Sequence, residues 1–228
     1  PIIVLTKDSK TFQQIVGNNV IAAYALPQRN LIIIDYSKMK MPPFTVEATV
    51  KHELCHLLLH HHIRADLLPR WLDEGIAQWV SDGIAEIMIE RKRSVLTEAM
   101  LSGKHIPIRF LADGFPEDRD SLLLAYEESK DFVEYIRKKY GDEGIMRVLR
   151  NLERGDTIQE AILKALSIPF GQLEHEWLKH LRRKATWFSY LSRNLYEILF
   201  VVAAILTILG FIRILMKRRA LKDEEWGD

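Results

Sequence analysis

The spacing of apolar positions changes once along this chain, from strand-like to helical. Ile2–Thr6 and Leu31–Asp35 are β-branched, apolar runs of strand length, and residues 20–25 form a weaker third. Between the first two, Phe12, Ile15 and Val16 recur at helical spacing after a polar Asp8-Ser9 start. The opening segment therefore predicts a small mixed sheet with one helix. After Pro43 the period is helical throughout. Val46, Val50, Leu54 and Leu58 form an i,i+4 stripe on a helix expected to begin near Thr45, and a turn at residues 65–69 leads to a second helical segment over residues 69–79. Leu122, Ala125, Tyr126, Phe132, Val133, Ile136 and Tyr140 form a longer stripe ending at Gly141, a residue suited to the position just past a helix. Two more helices are expected, one from an Asp156-Thr157 cap through Ile158, Ala161, Ile162 and Leu166, the other from Pro169 through Phe170, Leu173, Trp177 and Leu181. A sheet followed by a mostly helical remainder is an α+β arrangement.

The C-terminal pattern differs again. Residues 195–216 read LYEILFVVAAILTILGFIRILM, with Glu197 and Arg213 as the only charges. The uncharged core, residues 198–212, has 15 residues. That is short of the ~20 that cross hydrocarbon, but snorkelling by the two end charges restores the length. Trp187, Phe188, Tyr190 and Tyr196 precede the run as an aromatic belt does, and Lys217, Arg218 and Arg219 close it. A transmembrane helix at 195–216 is therefore expected, with a lipid bilayer as partner. It divides the chain into a domain at 1–184, a juxtamembrane segment at 185–194, the helix, and a charged tail at 217–228. Arg182, Arg183, Lys184 and Arg193 before it balance Lys217, Arg218, Arg219 and Lys222 after it, so positive charge leaves the orientation open.

Charge excludes one class of partner. The 32 Lys and Arg against 31 Asp and Glu give a net +1, no field for a nucleic-acid backbone. The single cysteine, Cys55, has no partner within the chain for a disulfide.

His52-Glu53-Leu54-Cys55-His56 has the form H-E-x-x-H inside a predicted helix. Residues four apart share a helical face, so both imidazoles can reach one ion at ~2.0–2.1 Å while Glu53 lies beside them, available as a base. A catalytic zinc takes three protein ligands and keeps a fourth position open. Glu74, in Trp71-Leu72-Asp73-Glu74-Gly75-Ile76-Ala77, follows His56 after 17 intervening residues, enough for a second helix to cross the first. The neighbouring Asp73 points about 100° away on that helix and reads as solvated or as a group behind the ligands. His62, ten positions after His52, is the rival third ligand, at the spacing of the metzincins. Against it stands Leu59, in a Leu57-Leu58-Leu59 run that continues the helix where that pattern has a turning glycine. His60, His61 and His62 otherwise read as solvent-facing residues near a helix end, where imidazoles suit the dipole.

His52, Glu53 and His56 followed by Trp71-Leu72-x-Glu74-Gly75-x-Ala77 resemble the gluzincin metallopeptidases. The closest likeness is to the peptidase MA-like domain related to the aminopeptidase N group, and it extends along most of residues 1–184. Trp79 stands where relatives often have tyrosine, and the gap to Glu74 is one residue shorter than in the aminopeptidases. The resemblance implies a zincin-like α+β fold with Zn2+ on His52, His56 and Glu74. It also implies peptide-bond hydrolysis with Glu53 as general base and a peptide or protein substrate. Relatives stabilise the oxyanion with a tyrosine or histidine from a later helix, which suggests Tyr126 here, with His105 as the weaker choice. They bind peptide along an edge strand, the role implied for residues 20–25 with the small Ala22 and Ala23. The expected protein is a single-pass, membrane-anchored zinc metallopeptidase with an extracytoplasmic catalytic domain. The alternative is a catalytically silent zinc-binding adaptor of the same fold that holds a partner at the membrane; such an adaptor has no need of Glu53. An intramembrane protease, which also carries H-E-x-x-H, does not suit a motif so far from the apolar run.

Overall fold

The computed structural model describes residues 1–17, 21–39, 45–81, 95–193 and 195–225. The chain divides into two units, Pro1–Leu181 and Arg182–Asp228.

The first unit opens with a three-stranded sheet of order β1-β3-β2. Strand β1 (Ile2–Thr6) runs parallel to β3 (Leu31–Asp35), with Ile2 opposite Leu31, and β2 (Ala23–Leu26) runs antiparallel to β3, with Ala23 opposite Ile34. The parallel pair needs a crossover, which contains α1 (Ser9–Val16), capped by the Asp8 side chain on the Thr11 amide at 2.8 Å. Strand β3 is central and buried on both faces. Ile33 packs with Phe12 and Ile21, while Ile32 and Ile34 pack with Ala22, Ala23, Met39 and Leu57. That two-sided burial is why its sequence is an unbroken apolar run. The third strand starts later than residues 20–25 suggest; Val20 lies outside the described residues, and Ala22 and Ala23 are small because they pack in this core.

Helix α2 (Val46–His62) begins where expected, with Thr45 Oγ1 accepting from the Ala48 amide. Its predicted stripe is only partly a core face. Val46, Val50 and Leu54 pack against the sheet, but Leu58 is 54% exposed. The more deeply buried side carries Thr49, His52, Glu53, Cys55, His56, Leu57 and Leu59. A helix covered by the sheet on one side and by another helix on the other buries polar positions that a single-stripe reading assigns to solvent.

That covering helix is α3 (Arg70–Val80). It packs in turn on α5 (Arg119–Glu153), whose continuity is interrupted at Gly141 by φ 74 and ψ 171. The chain therefore leaves its first helical stretch at the predicted glycine and resumes helix at once. Trp71 of α3 meets Phe132 of α5 at 5.0 Å between ring centroids, and Phe132 meets Trp177 at 5.0 Å, an aromatic column through the helical core. Trp177 belongs to α7 (Phe170–Arg193), and its indole N–H donates to Asp131 Oδ1 at 2.9 Å. Between them, α6 (Ile158–Leu166) starts with a capping box of Thr157 and Glu160. Helix α4 (Val95–Ser102) is an addition the periodicity did not predict.

In the second unit α8 (Leu195–Glu225) is one long helix, and every residue from 199 to 214 is exposed. Among the described residues no helix is long and apolar enough to cross a membrane, which corrects the transmembrane helix expected at 195–216. Its 15-residue uncharged core covers only about 22 Å at ~1.5 Å per residue, against ~30 Å of hydrocarbon.

Candidate metal centre

Three donors converge between α2 and α3. His52 and His56 project from one face of α2, their rings 4.9 Å apart at 80°. Glu74 comes from α3, buried, with Oε2 at 3.9 Å from His52 Nε2 and 3.8 Å from His56 Nε2. The ligand atoms of all three lie within 4.8 Å of one another.

Hydrogen bonds behind the donors fix which atoms face inward. Ser81 Oγ gives its proton to the Ala77 carbonyl at 2.7 Å, so at 3.2 Å it accepts from His52 Nδ1–H. His52 therefore presents the lone pair of Nε2, an atom with no hydrogen-bond partner among the described residues. Burial, then the neighbouring His56, lowers the His52 pKa from 6.5 to about 3, so the ring is neutral near pH 7. Asp73 Oδ1 accepts from His56 Nδ1–H at 2.7 Å, which turns His56 Nε2 toward Glu74 in the same way. Burial pushes the Asp73 carboxyl up, but the facing His56 and His60 outweigh it and hold it well below the usual carboxylate range.

The two oxygens of Glu74 have separate tasks. Oε1 accepts from Arg70 Nη2 at 3.2 Å and from the Tyr126 hydroxyl at 3.5 Å, while Oε2 faces the two imidazoles. Arg70 is steadied by the Phe115 ring, 5.3 Å from its guanidinium carbon.

This set fits a divalent metal. Donors around a tetrahedral zinc at ~2.0–2.1 Å lie about 3.4 Å apart. The two separations from Glu74, 3.8 and 3.9 Å, are a few tenths of an ångström wider than that, and all three donors lie within 4.8 Å of one another. A bound ion also satisfies the buried His52 Nε2, which otherwise costs about 1–3 kcal/mol. Glu53 is fully buried on the same helix and lies outside the donor cluster.

Of the residues read from sequence, His52, His56 and Glu74 come together, and Tyr126 touches the group through Glu74. His62 does not join them; it is exposed and bonded to Glu153 Oε1 at 3.1 Å. His105, half-buried just before the Ile108–Leu111 turn, is not in the cluster either. Of the two readings of Asp73, the structure shows the group behind the ligands, bonded to His56. One expectation is corrected: His60 is not solvent-facing, its side chain being 26% exposed and its Nε2 bonded to Asp73 Oδ2 at 3.0 Å. Cys55 is buried, its thiol pushed up to about 12 by burial and then by Asp73 and Glu74, so it stays protonated. The roles of Ser81 and Arg70 were not read from sequence; Arg70 had a local signal, its i,i+4 spacing to Glu74, whereas Ser81 lies 29 residues from His52 and had none.

A search of curated proteins finds no match. The model of the Peptidase MA superfamily, however, matches residues 6–183, a span containing both imidazoles, Glu53 and Glu74, and the chain belongs to that superfamily.

Proposed function

We propose that this protein is a membrane-anchored zinc metallopeptidase of gluzincin type, related to the aminopeptidase N group. The observation that carries the reading is the convergence of His52, His56 and Glu74 ligand atoms within 4.8 Å, with Glu53, the residue after His52, buried and outside the donor set.

Zinc held by His52, His56 and Glu74 would supply Lewis acidity, polarising an amide carbonyl and lowering the pKa of water toward ~7. Glu53 accepts the proton of the attacking water and delivers it to the leaving amine, which requires no covalent enzyme intermediate. Tyr126 donates to the carbonyl oxygen as negative charge builds. Its bond to Glu74 at 3.5 Å is long and readily exchanged for a stronger acceptor. A peptide substrate pairs through its main chain with the outer edge of β2, which lies at one side of the described sheet.

The anchor is α8, whose exposed Leu199, Phe200, Leu206, Leu209 and Phe211 form an apolar surface that lipid covers. The catalytic unit lies on the extracytoplasmic side, a placement that follows the resemblance to gluzincins. Protease added to intact cells should digest it; protection from digestion contradicts that placement.

Metal analysis and peptide cleavage with the full chain test the central reading. The wild type should bind one zinc per chain and cleave peptides, losing cleavage to a chelator and recovering it with zinc. Glu74→Ala should lower both zinc affinity and cleavage. Zinc binding without cleavage of any peptide pool supports the silent adaptor, and unchanged affinity in Glu74→Ala removes that carboxylate from the metal.

A further inference from the structure

Behind the donors, the histidines of α2 and the acids of α3 interleave. His52, His56 and His60 follow one another at four-residue steps, so they rise along one face of α2, one turn apart. Asp73 and Glu74 are consecutive on α3, so their carboxylates diverge and reach different levels of that stripe. Glu74 meets His52 and His56; Asp73 meets His56 at 2.7 Å and His60 at 3.0 Å. His56 is thus held from both sides, and the Asp73 side chain that holds it is only 14% exposed.

We propose that Asp73 and His60 are positioning residues for the metal, acting in series: His60 fixes the Asp73 carboxylate, and Asp73 fixes the ring of His56. The proposal rests on the metal reading above. Rotation of an aspartate carboxylate about its last torsion is soft, so a single bond to His56 leaves the carboxylate plane free to swing. A second bond from His60 to the other oxygen removes that freedom and keeps Oδ1 aligned with the His56 Nδ1–H. A carboxylate so placed fixes the ring's tautomer and orientation and makes its far nitrogen a better donor. His60 reaches neither metal nor substrate; it works two steps away.

Zinc affinity measured by chelator competition on the full chain in mild detergent tests this through a double-mutant cycle. Asp73→Asn should weaken binding about 10–100-fold, the usual effect of losing an outer-shell partner. His60→Ala should weaken it by a smaller factor, and His60→Gln, whose amide N–H can still donate to Asp73, should recover most of the loss. The double variant Asp73→Asn/His60→Ala should bind as Asp73→Asn alone, because residues acting in series are not additive. Co2+ substitution should show an altered visible absorption band in both single variants. Melting of the metal-free chain should stay within about 2 °C of wild type. Additive losses in the cycle, or an unmoved cobalt band with a lowered metal-free melting point, overturn the series arrangement while leaving the metal site intact. A wild-type chain that takes up no zinc overturns both readings.

Discussion

A methyl group on Gly75 would stand 2.6 Å from the carbonyl oxygen of Ser129. It would also meet Val133 Cγ2 at 2.6 Å, so the backbones of α3 and α5 approach as closely as they do only because this position has no side chain. The residue before it is Glu74, and about one α5 turn before Ser129 and two before Val133 lies Tyr126, which bonds that glutamate. Gly75→Ala should therefore cost about 1–3 kcal/mol of stability by overpacking, and should weaken zinc binding by moving Glu74 away from the imidazoles. Thermal unfolding and a zinc titration on the same preparation check both. An unchanged melting point with unchanged affinity shows that the helices separate at no cost and that the contact does not set the site.

Glu53→Gln keeps the shape of the side chain and removes its capacity to take a proton. Peptide cleavage should fall by about 10²–10⁴-fold, the scale of a lost general base, with zinc content unaltered. Cleavage at the wild-type rate assigns proton transfer elsewhere.

Tyr126→Phe separates two roles for one hydroxyl. If it donates to the developing oxyanion, kcat should fall by about 10²–10³-fold while zinc remains bound. If its bond to Glu74 is its whole contribution, zinc affinity falls instead and kcat survives at saturating metal. Measuring kcat across a zinc series distinguishes the outcomes.

Local signals made much of this fold readable. The apolar runs of β1 and β3, the Asp8 start of α1, the Thr157 cap of α6 and the break at Gly141 each carry their cause within a few residues. H-E-x-x-H is likewise a local pattern, and the third ligand that such a site requires points to Glu74. What escaped depends on distant partners. His60 reads as solvent-facing because nothing in α2 shows that Asp73 will face it from another helix. The Ser81 hydroxyl behind His52 and the buried acids Glu128 and Glu174 are further cases. Those two carboxylates accept from the amides of Ile106 and Ile108, 22 and 66 residues away, and in sequence they look like ordinary surface charges. Their partners are backbone groups of an irregular segment, which no side-chain pattern announces.

Anchoring by α8 is tested with two charges. Val202 and Leu206 lie one turn apart in its exposed apolar stretch. Charges on an apolar surface that rests on lipid oppose its burial, so Val202→Asp/Leu206→Asp should shift the chain from the membrane to the soluble fraction. Wild type should sediment with membranes and float with lipid vesicles. Equal partitioning of both proteins argues that a protein surface, not lipid, covers the helix.

Two buried groups set opposed pH limits on the metal-free chain. Burial, with His56 adding, lowers His52 from 6.5 to about 3. Between those values the unfolded chain binds a proton there that the native chain does not, so this group's stabilisation is full above pH 6.5 and is lost as pH falls toward 3. Burial raises Glu128 from 4.5 to about 8, opposed by the Ile106 amide and reinforced by Glu174. Here the native chain keeps a proton that the unfolded chain has released, so the stabilisation is full below pH 4.5 and is lost as pH rises through about 8. The slopes offset one another between 4.5 and 6.5. Urea midpoints in chelator should therefore be flat across that interval and decline on either side, with a limiting slope of about 1.4 kcal/mol per pH unit for each group. Glu128→Gln should abolish the decline between pH 6.5 and 8 and extend the acid limb up to pH 6.5, since nothing then offsets His52. A wild-type midpoint that climbs steadily from pH 6 to 8 contradicts a protonated Glu128 in the native chain.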